Sequence, residues 1–484
     1  MNAQPSSTTI CQQSVGKKPT DVRVAGAELY FLPVETRVPL KFGGETLTAV
    51  SCARVRLTVV NQEGQSAEGW GETPLSVQWT WPGDLTYGVR IAAMQDFCIQ
   101  LAAAWVQFDE SGHPLELGDL FARTQLSALR YQRNGSLPAQ QHMPLLAALA
   151  CCSPFDVALH DAYAKLVGLP VYETYGPTHL NRDLSHFLEA ADASVDFHGK
   201  YPADFLRERP SPSLPVWHLV GGLDPLTREE CNGSSPNDVH PHALTDWIER
   251  DGLKCVKIKL RGDDFGWDYG RVVRVGHLAR QLGVEWLTTD FNCMVQEPAY
   301  VMTMLDLLES QEPEINRMIL YVEQPFPYDM EAQPINVKEL SARKPLLMDE
   351  SADSWMHVRL GRSLGWNGVA IKTCKTQTGA LLSLCWAKAH GMHVMVQDLT
   401  NPMLAQIPHV LLAAHADTMM GVESNAMQYY PEASAAEAEV HPGLYQRCNG
   451  RLDLSTLQGP GFGYRLSEIR RALPPPEVQC FSSS

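Results

Sequence analysis

The stretch Leu253-Lys-Cys-Val-Lys-Ile-Lys-Leu260 organises the reading of the whole chain. From Cys255 to Leu260 the pattern has a period of two, which predicts a short strand. Side chains two apart share a face, so Lys257 and Lys259 point one way while Val256, Ile258 and Leu260 point the other. In a parallel sheet both faces are covered. Two crowded, partly desolvated ammonium groups would lower each other's pKa from about 10.4 towards neutrality, and a lysine in that state is a general base. The alternative is an edge strand carrying two solvated lysines.

Moving outward, strand-like runs recur at 215–222, 285–290, 318–323, 345–349, 368–372, 393–398 and 419–423, with helix-like segments between them. From the lysine strand onward they end in Lys259, Asp290, Glu323, Asp349, Lys372, Asp398 and Glu423. The spacing of these residues runs from 23 (372 − 349) to 33 (323 − 290), the length of one βα unit. Eight such strands in succession predict an α/β domain over 151–440 that closes as a (β/α)8 barrel. The alternative, an open doubly wound sheet, lacks a Gly-rich phosphate loop at any helix start.

Upstream, residues 1–20 are Ser, Thr and Gln rich and are expected to form a disordered tail. Residues 22–72 carry strand patterns with turns at 39–44 and 61–64, and 88–150 carry helical periodicity. Together they predict a separate α+β domain over 21–150. Ser153-Pro154 reads as a helix start and Gly168-Leu-Pro170 as its end. The polar, Pro-rich segment 177–213 reads as an insertion or extended loop.

The composition is that of a globular protein: 484 residues, 44% hydrophobic and 19% charged. A net charge of −16 argues against nucleic acid or an anionic membrane as partner. The N-terminus has no apolar signal core, and no run of about 18 apolar residues predicts a transmembrane helix. Twelve scattered cysteines without zinc-type spacing suit reduced thiols and a cytoplasmic location.

In a barrel the C-terminal strand ends form the catalytic face. Asp290, Glu323 and Asp349 end three consecutive strands, and neighbouring strands lie about 4.8 Å apart. Three converging carboxylates repel one another unless a hard cation such as Mg2+ binds them. The competing role for each is to cap the following helix. Lysines flank the set, Lys257 and Lys259 before it and Lys372 after it, on strands that lie roughly opposite in a closed ring. Metal plus lysines on both faces suits removal of a proton α to a carboxylate, with the enolate held by the metal.

Lys257-x-Lys259, Asp290-x-Asn292, Glu323-Gln-Pro325, Asp349-Glu-Ser351 and Lys372-x-x-Lys375 resemble the enolase superfamily, specifically its muconate lactonizing enzyme-like subgroup within the mandelate racemase/muconate lactonizing enzyme family. The resemblance covers almost the whole ordered chain. It implies a modified TIM barrel with an N-terminal α+β capping domain, and a last segment, 441–484, returning to the cap. It implies that Asp290, Glu323 and Asp349 bind Mg2+. It also implies Lys259 and Lys372 as acid/bases on opposite faces, with Lys257 tuning Lys259. Asn292 and Glu423 would touch the substrate, and Arg37 or Lys41, on a loop resembling the family's mobile cap loop, would meet an acidic one. For those two the alternative is an ordinary solvated charge, and for His218 a structural role.

Lys375-Thr-Gln-Thr-Gly379 departs from the family's usual Gly-Gly pair, and Glu423-Ser-Asn425 from the Asp-x-Asp of dipeptide epimerases. The expected activity is that of an isomerase, a racemase or epimerase acting on a small-molecule carboxylate, in a homo-oligomer. The alternatives are a cycloisomerase, a syn-dehydratase, and a catalytically silent barrel that serves as a binding protein.

Overall fold

The computed structural model describes residues 17–135, 137–231, 236 and 238–482. Of the tail expected over 1–20, residues 1–16 lie outside the described residues. Lys18 is tied down, its Nζ donating to the Leu180 carbonyl at 2.6 Å.

Three long strands open the chain: β1 (Val22–Phe42), β2 (Glu45–Asn61) and β3 (Ser66–Pro74). They pair antiparallel in sequence order. The β1–β2 hairpin turns at Gly43-Gly44, and a register shift between Glu35 and Leu40 interrupts its ladder. Such an irregularity bends a strand. Beyond it, Leu40, Phe42 and Leu47 pack with Leu219, Cys374, Leu399 and Met403 of the second domain. The hairpin tip is thereby fixed over the other domain by apolar burial.

Eight parallel strands follow: β4 (Ser213–Val220), β5 (Cys255–Lys259), β6 (Trp286–Asp290), β7 (Ile319–Glu323), β8 (Leu346–Met348), β9 (Gly368–Ile371), β10 (His393–Val396) and β11 (Val422–Glu423). Each pairs with the next, and β11 pairs back onto β4, so the ring closes. The lysine strand is therefore no edge strand: β5 lies between β4 and β6 with every residue buried. A layer of Trp217, Cys255, Tyr321, Leu347 and Met395 fills the bottom of the ring. Lys257 and Lys259 continue the inward face of Cys255, while Val256 and Ile258 join the apolar shell under the helices. Two short strands complete the sheets: β12 (Arg451–Asp453) runs antiparallel to the start of β4, and β13 (Val478–Phe481) runs antiparallel to β1.

The expected helix start at Ser153-Pro154 is not one. A single helix runs Leu145–Val167 with Pro154 inside it, crossing the boundary expected at 150/151. Packing overrides the proline: every residue from Leu146 to Ala164 is buried. The helical stretch Ala139–Val167 that contains it is long and apolar enough to cross a membrane, but 83% of its most apolar window is buried inside the protein. Gly69 and Gly71 of β3 press directly on its backbone. A Cβ at Gly71 would stand 2.1 Å from the Pro154 carbonyl oxygen, and one at Gly69 the same distance from that of Ala158. The insertion expected at 177–213 wraps the barrel's outer helices, where Trp386 donates to the Glu189 carbonyl at 2.9 Å and Lys388 to that of Phe205 at 2.9 Å.

Candidate active site

The parallel register sets Lys259, Asp290 and Glu323 side by side at the C-terminal rim of β5, β6 and β7. Asp349 and Lys372 stand one residue beyond β8 and β9. Gln324, in the left-handed region at φ +31°, turns its side chain towards the next strand end. Its Oε1 accepts from Asp349 N at 2.7 Å and Ser351 Oγ at 2.8 Å, fixing the Asp349 loop. Asn292, at φ +43°, bends back so that its N–H donates to Asp290 Oδ1 at 3.0 Å.

Lys257 Nζ sits in the middle of the constellation. It lies 2.7 Å from Glu323 Oε1, 2.9 Å from Glu423 Oε2 and 3.0 Å from Asp290 Oδ2. Lys259 donates to Asp290 and lies 5.8 Å from the centre of the Phe42 ring. Across the ring, Lys372 Nζ is 3.1 Å from Asp349 Oδ2, 2.9 Å from the Asp398 carbonyl and 4.9 Å from the centre of the Trp79 ring. Lys259 and Lys372 line one pocket of about 40 Å³, room for only a few waters. Leu40, Phe42, Leu47 and Trp79 of the first domain roof it.

The depression expected of Lys257 does not occur in this arrangement. Burial would lower the Lys257 pKa, but Asp290, Glu323 and Glu423 overrule it and hold the ammonium well above its usual range. Burial would lower Lys372 too, but Asp349, Glu423 and Glu323 together outweigh it and hold the ammonium above its usual range. Burial would raise Asp290, yet Lys257 and Lys259 hold it well below the carboxylate range. Glu323 is pushed well up by burial and then by Asp290. Glu350 rises to about 7, through burial first and Asp349 and Asp290 next.

After burial, neighbouring carboxylates drive the rise of Glu323 and Glu350. Asp290, Glu323, Asp349, Glu350, Asp398 and Glu423 are buried with only Lys257, Lys259, Lys372 and Lys375 to balance them, six carboxylates against four cations. A divalent ion would balance that excess, and an all-oxygen donor set suits Mg2+. Asp349 Oδ1 is buried without a hydrogen-bond partner, 3.6 Å from Lys375 Nζ, and has a lone pair to offer such an ion. Among the described residues no three acidic groups close into a metal cage; Lys257 lies between Asp290, Glu323 and Glu423 instead. The donor set fits the ion by charge and chemistry, with Lys257 as its competitor.

The remaining candidates divide. Glu423 lines the pocket, held by Lys257 and by Asn425 Nδ2 at 2.8 Å. Asn292 lies beside it, donating from Nδ2 to Glu350 Oε1 at 2.9 Å, and lines an adjoining cleft. Arg37 is not brought to the pocket: its guanidinium is bound by Asp238 at 2.5 Å and the His240 carbonyl at 3.0 Å. Lys41 is not either, because strand alternation that turns Leu40 and Phe42 inward turns Lys41 out against Gly222. His218 faces the outer helices, 5.5 Å from Trp247.

Sequence reasoning missed Trp79, which walls the pocket and donates from Nε1 to Glu350 Oε1 at 3.1 Å. It also missed Gln397, whose Nε2 donates to Glu323 Oε2 at 2.6 Å. Gln397 stands next to a counted strand end, so the inward alternation of β10 was the available signal. Trp79 carried none, since only the docking of the first domain brings it there.

Residues 241–470 match the family model described as enolase C-terminal domain-like. No curated protein matches the sequence. Among solved structures, N-succinyl Arg/Lys racemase from Bacillus cereus is similar at a TM-score of 0.60 and 16% identity, over 95% of this chain and 100% of that one. A dipeptide epimerase from Enterococcus faecalis reaches 0.60 at 15% identity, over 91% and 99%. Muconate lactonizing enzyme from Pseudomonas fluorescens reaches 0.55 at 16%, over 93% and 99%. At such identities the shared property is the fold: the closed parallel barrel with its N-terminal antiparallel sheet domain.

Proposed function

We propose, from the match of residues 241–470 to the enolase C-terminal domain-like family model, an enzyme that moves the proton α to a substrate carboxylate, a racemase or epimerase. One observation carries the reading. Lys259 and Lys372 sit at the ends of β5 and β9, four strands apart in a ring of eight, and line the same pocket. A carbon held between them has one amine on each face.

Asp290, Glu323 and Asp349 would hold Mg2+, which when bound supplies positive charge against the substrate's carboxylate and offsets the anionic field around Lys257 and Lys372. Lys259, as the neutral amine, takes the α-proton and becomes an ammonium. Lys372, as the ammonium, gives its proton to the opposite face and becomes the amine, so the configuration inverts and the protons balance. The reverse pair of transfers returns the other enantiomer. Phe42 and Trp79 keep water from the exchanging protons, and Gln397 orients Glu323. Cycloisomerisation and syn-dehydration share the first transfer and differ in what the enolate does next.

The test is incubation with Mg2+ in D2O against α-hydroxy acids, N-acyl amino acids, dipeptides and sugar acids, followed by NMR. Metal-dependent loss of the α-proton signal with deuterium gain supports the reading. A product with a new double bond or ring moves the assignment to lyase or cycloisomerase. A protein that does not bind Mg2+ overturns it.

A further inference from the structure

Each of the two opposed lysines lies against an aromatic ring of the first domain. Lys259 Nζ is 5.8 Å from the centre of the Phe42 ring, and Lys372 Nζ is 4.9 Å from the centre of the Trp79 ring. Both are within reach of a cation–π attraction, which is strongest for tryptophan and for desolvated cations. The rings come from different places. Phe42 ends β1 at the hairpin tip, while Trp79 sits on the short helix Val77–Thr80 beyond β3.

The rings are themselves held. Both are buried in one apolar cluster with Leu47, Leu146, Leu219 and Cys374, which come from both domains. Trp79 Nε1 donates to the same Glu350 oxygen that accepts from Asn292 Nδ2, so the indole is pinned to the barrel. A lysine ammonium, by contrast, rides on a flexible four-carbon stem. Its other anchors here are shared: Lys259 donates to Asp290 and Lys372 pairs with Asp349, and both carboxylates would also hold Mg2+. Lys372 has one contact more, to the Asp398 carbonyl. The rings are partners for which a metal ion does not compete.

We infer that Phe42 and Trp79 are positioning residues, one for each lysine, so that proton transfer at each face of the substrate depends on its own ring of the first domain. The two faces rest on the racemase or epimerase reading; the placing of the ammonium groups by the rings does not. A shield against water alone would serve both faces alike.

The experiment reads faces and placing separately. Exchange of the α-proton into D2O is timed from each enantiomer of the carboxylate that exchanges, with Mg2+-loaded protein. Trp79→Leu is expected to shift the ratio of the two rates about ten-fold against the enantiomer that Lys372 serves, and Phe42→Leu about three-fold against the other. Trp79→Phe, which keeps a ring but loses the N–H, is expected to restore most of the ratio. In protein labelled with 13C-lysine, NMR reads the ε-methylene signals of Lys259 and Lys372, assigned with Lys259→Met and Lys372→Met. Ring currents displace such signals, so Trp79→Leu should move that of Lys372 alone and Phe42→Leu that of Lys259 alone. A rate ratio unchanged in both leucine variants, or lysine signals that stay in place in both, overturns the inference. Trp79→Phe and Phe42→Leu guard against a Trp79→Leu variant that fails to fold. If the signals move as expected while no carboxylate exchanges its α-proton, the catalytic reading falls alone.

Discussion

Lys257 Nζ stands 2.7 Å from Glu323 Oε1, occupying with its own charge the centre that three strand-end carboxylates surround. The pair is fully buried, and breaking a buried pair leaves an uncompensated charge that costs about 3–5 kcal/mol. Lys257→Met should therefore lose stability of that order in metal-free buffer, measured by urea unfolding. Mg2+ should restore more thermal stability to the variant than to the wild type, because the ion no longer competes with an ammonium. Equal Mg2+ shifts in both proteins would remove Lys257 as the competitor.

The opposed lysines make an enantiomer-specific prediction. Lys259→Ala should abolish deuterium exchange from one enantiomer of the substrate and Lys372→Ala from the other, each by about 10²–10⁴-fold. Loss of the same enantiomer in both variants would place the lysines on one face and contradict inversion.

His409 is buried, and its Nε2 donates to the Glu423 carbonyl at 2.7 Å. Burial pulls its pKa down to about 4, against an ordinary value of 6.5. The unfolded chain thus binds a proton that the folded one refuses. Stability is full above pH 6.5 and falls as pH drops towards 4, by up to about 3 kcal/mol. His409→Gln, which keeps an N–H for the carbonyl, should flatten this part of the acid limb in a series of urea titrations. A slope unchanged in the variant would assign the acid sensitivity elsewhere.

Gly71→Ala tests the contact between sheet and helix. The new Cβ meets a backbone oxygen at 2.1 Å, and backbone cannot rotate away as a side chain can. A loss of about 3 kcal/mol is expected, visible as a lower urea midpoint at unchanged slope. A stability within a few tenths of the wild type would mean that the helix slides freely on β3.

Much of the barrel is legible in the chain because βα units repeat a local signal. Cys255, Lys257 and Lys259 announce an inward face by alternation, and Asp290 and Glu323 fall at strand ends as their spacing requires. What stays hidden depends on long-range docking. Pro154 reads as a helix start locally, and only burial against β3 shows that the helix runs through it. Arg37 and Lys41 share a segment with Leu40 and Phe42, but a register shift and strand alternation aim them elsewhere. The charge on Lys257 is hidden for a related reason. Alternation shows two ammonium groups on one face, but the carboxylates that hold the Lys257 pKa up come from strands 33 (290 − 257) or more residues away.

The ring of strands is completed by a short seam. β11 meets β4 through two residue pairs, Val422 with Val216 and Glu423 with Trp217, and the side chains of Asn425 and Gln428 extend it by accepting from Leu219 N at 3.1 and 3.2 Å. The partners are separated by 206 residues (422 − 216), so the entropy of joining them falls on few bonds. Closure of this seam is consequently expected late in folding. A chain stalled before it would hold all eight strands in order with β4 and β11 exposing unpaired edges, open to pairing with another chain.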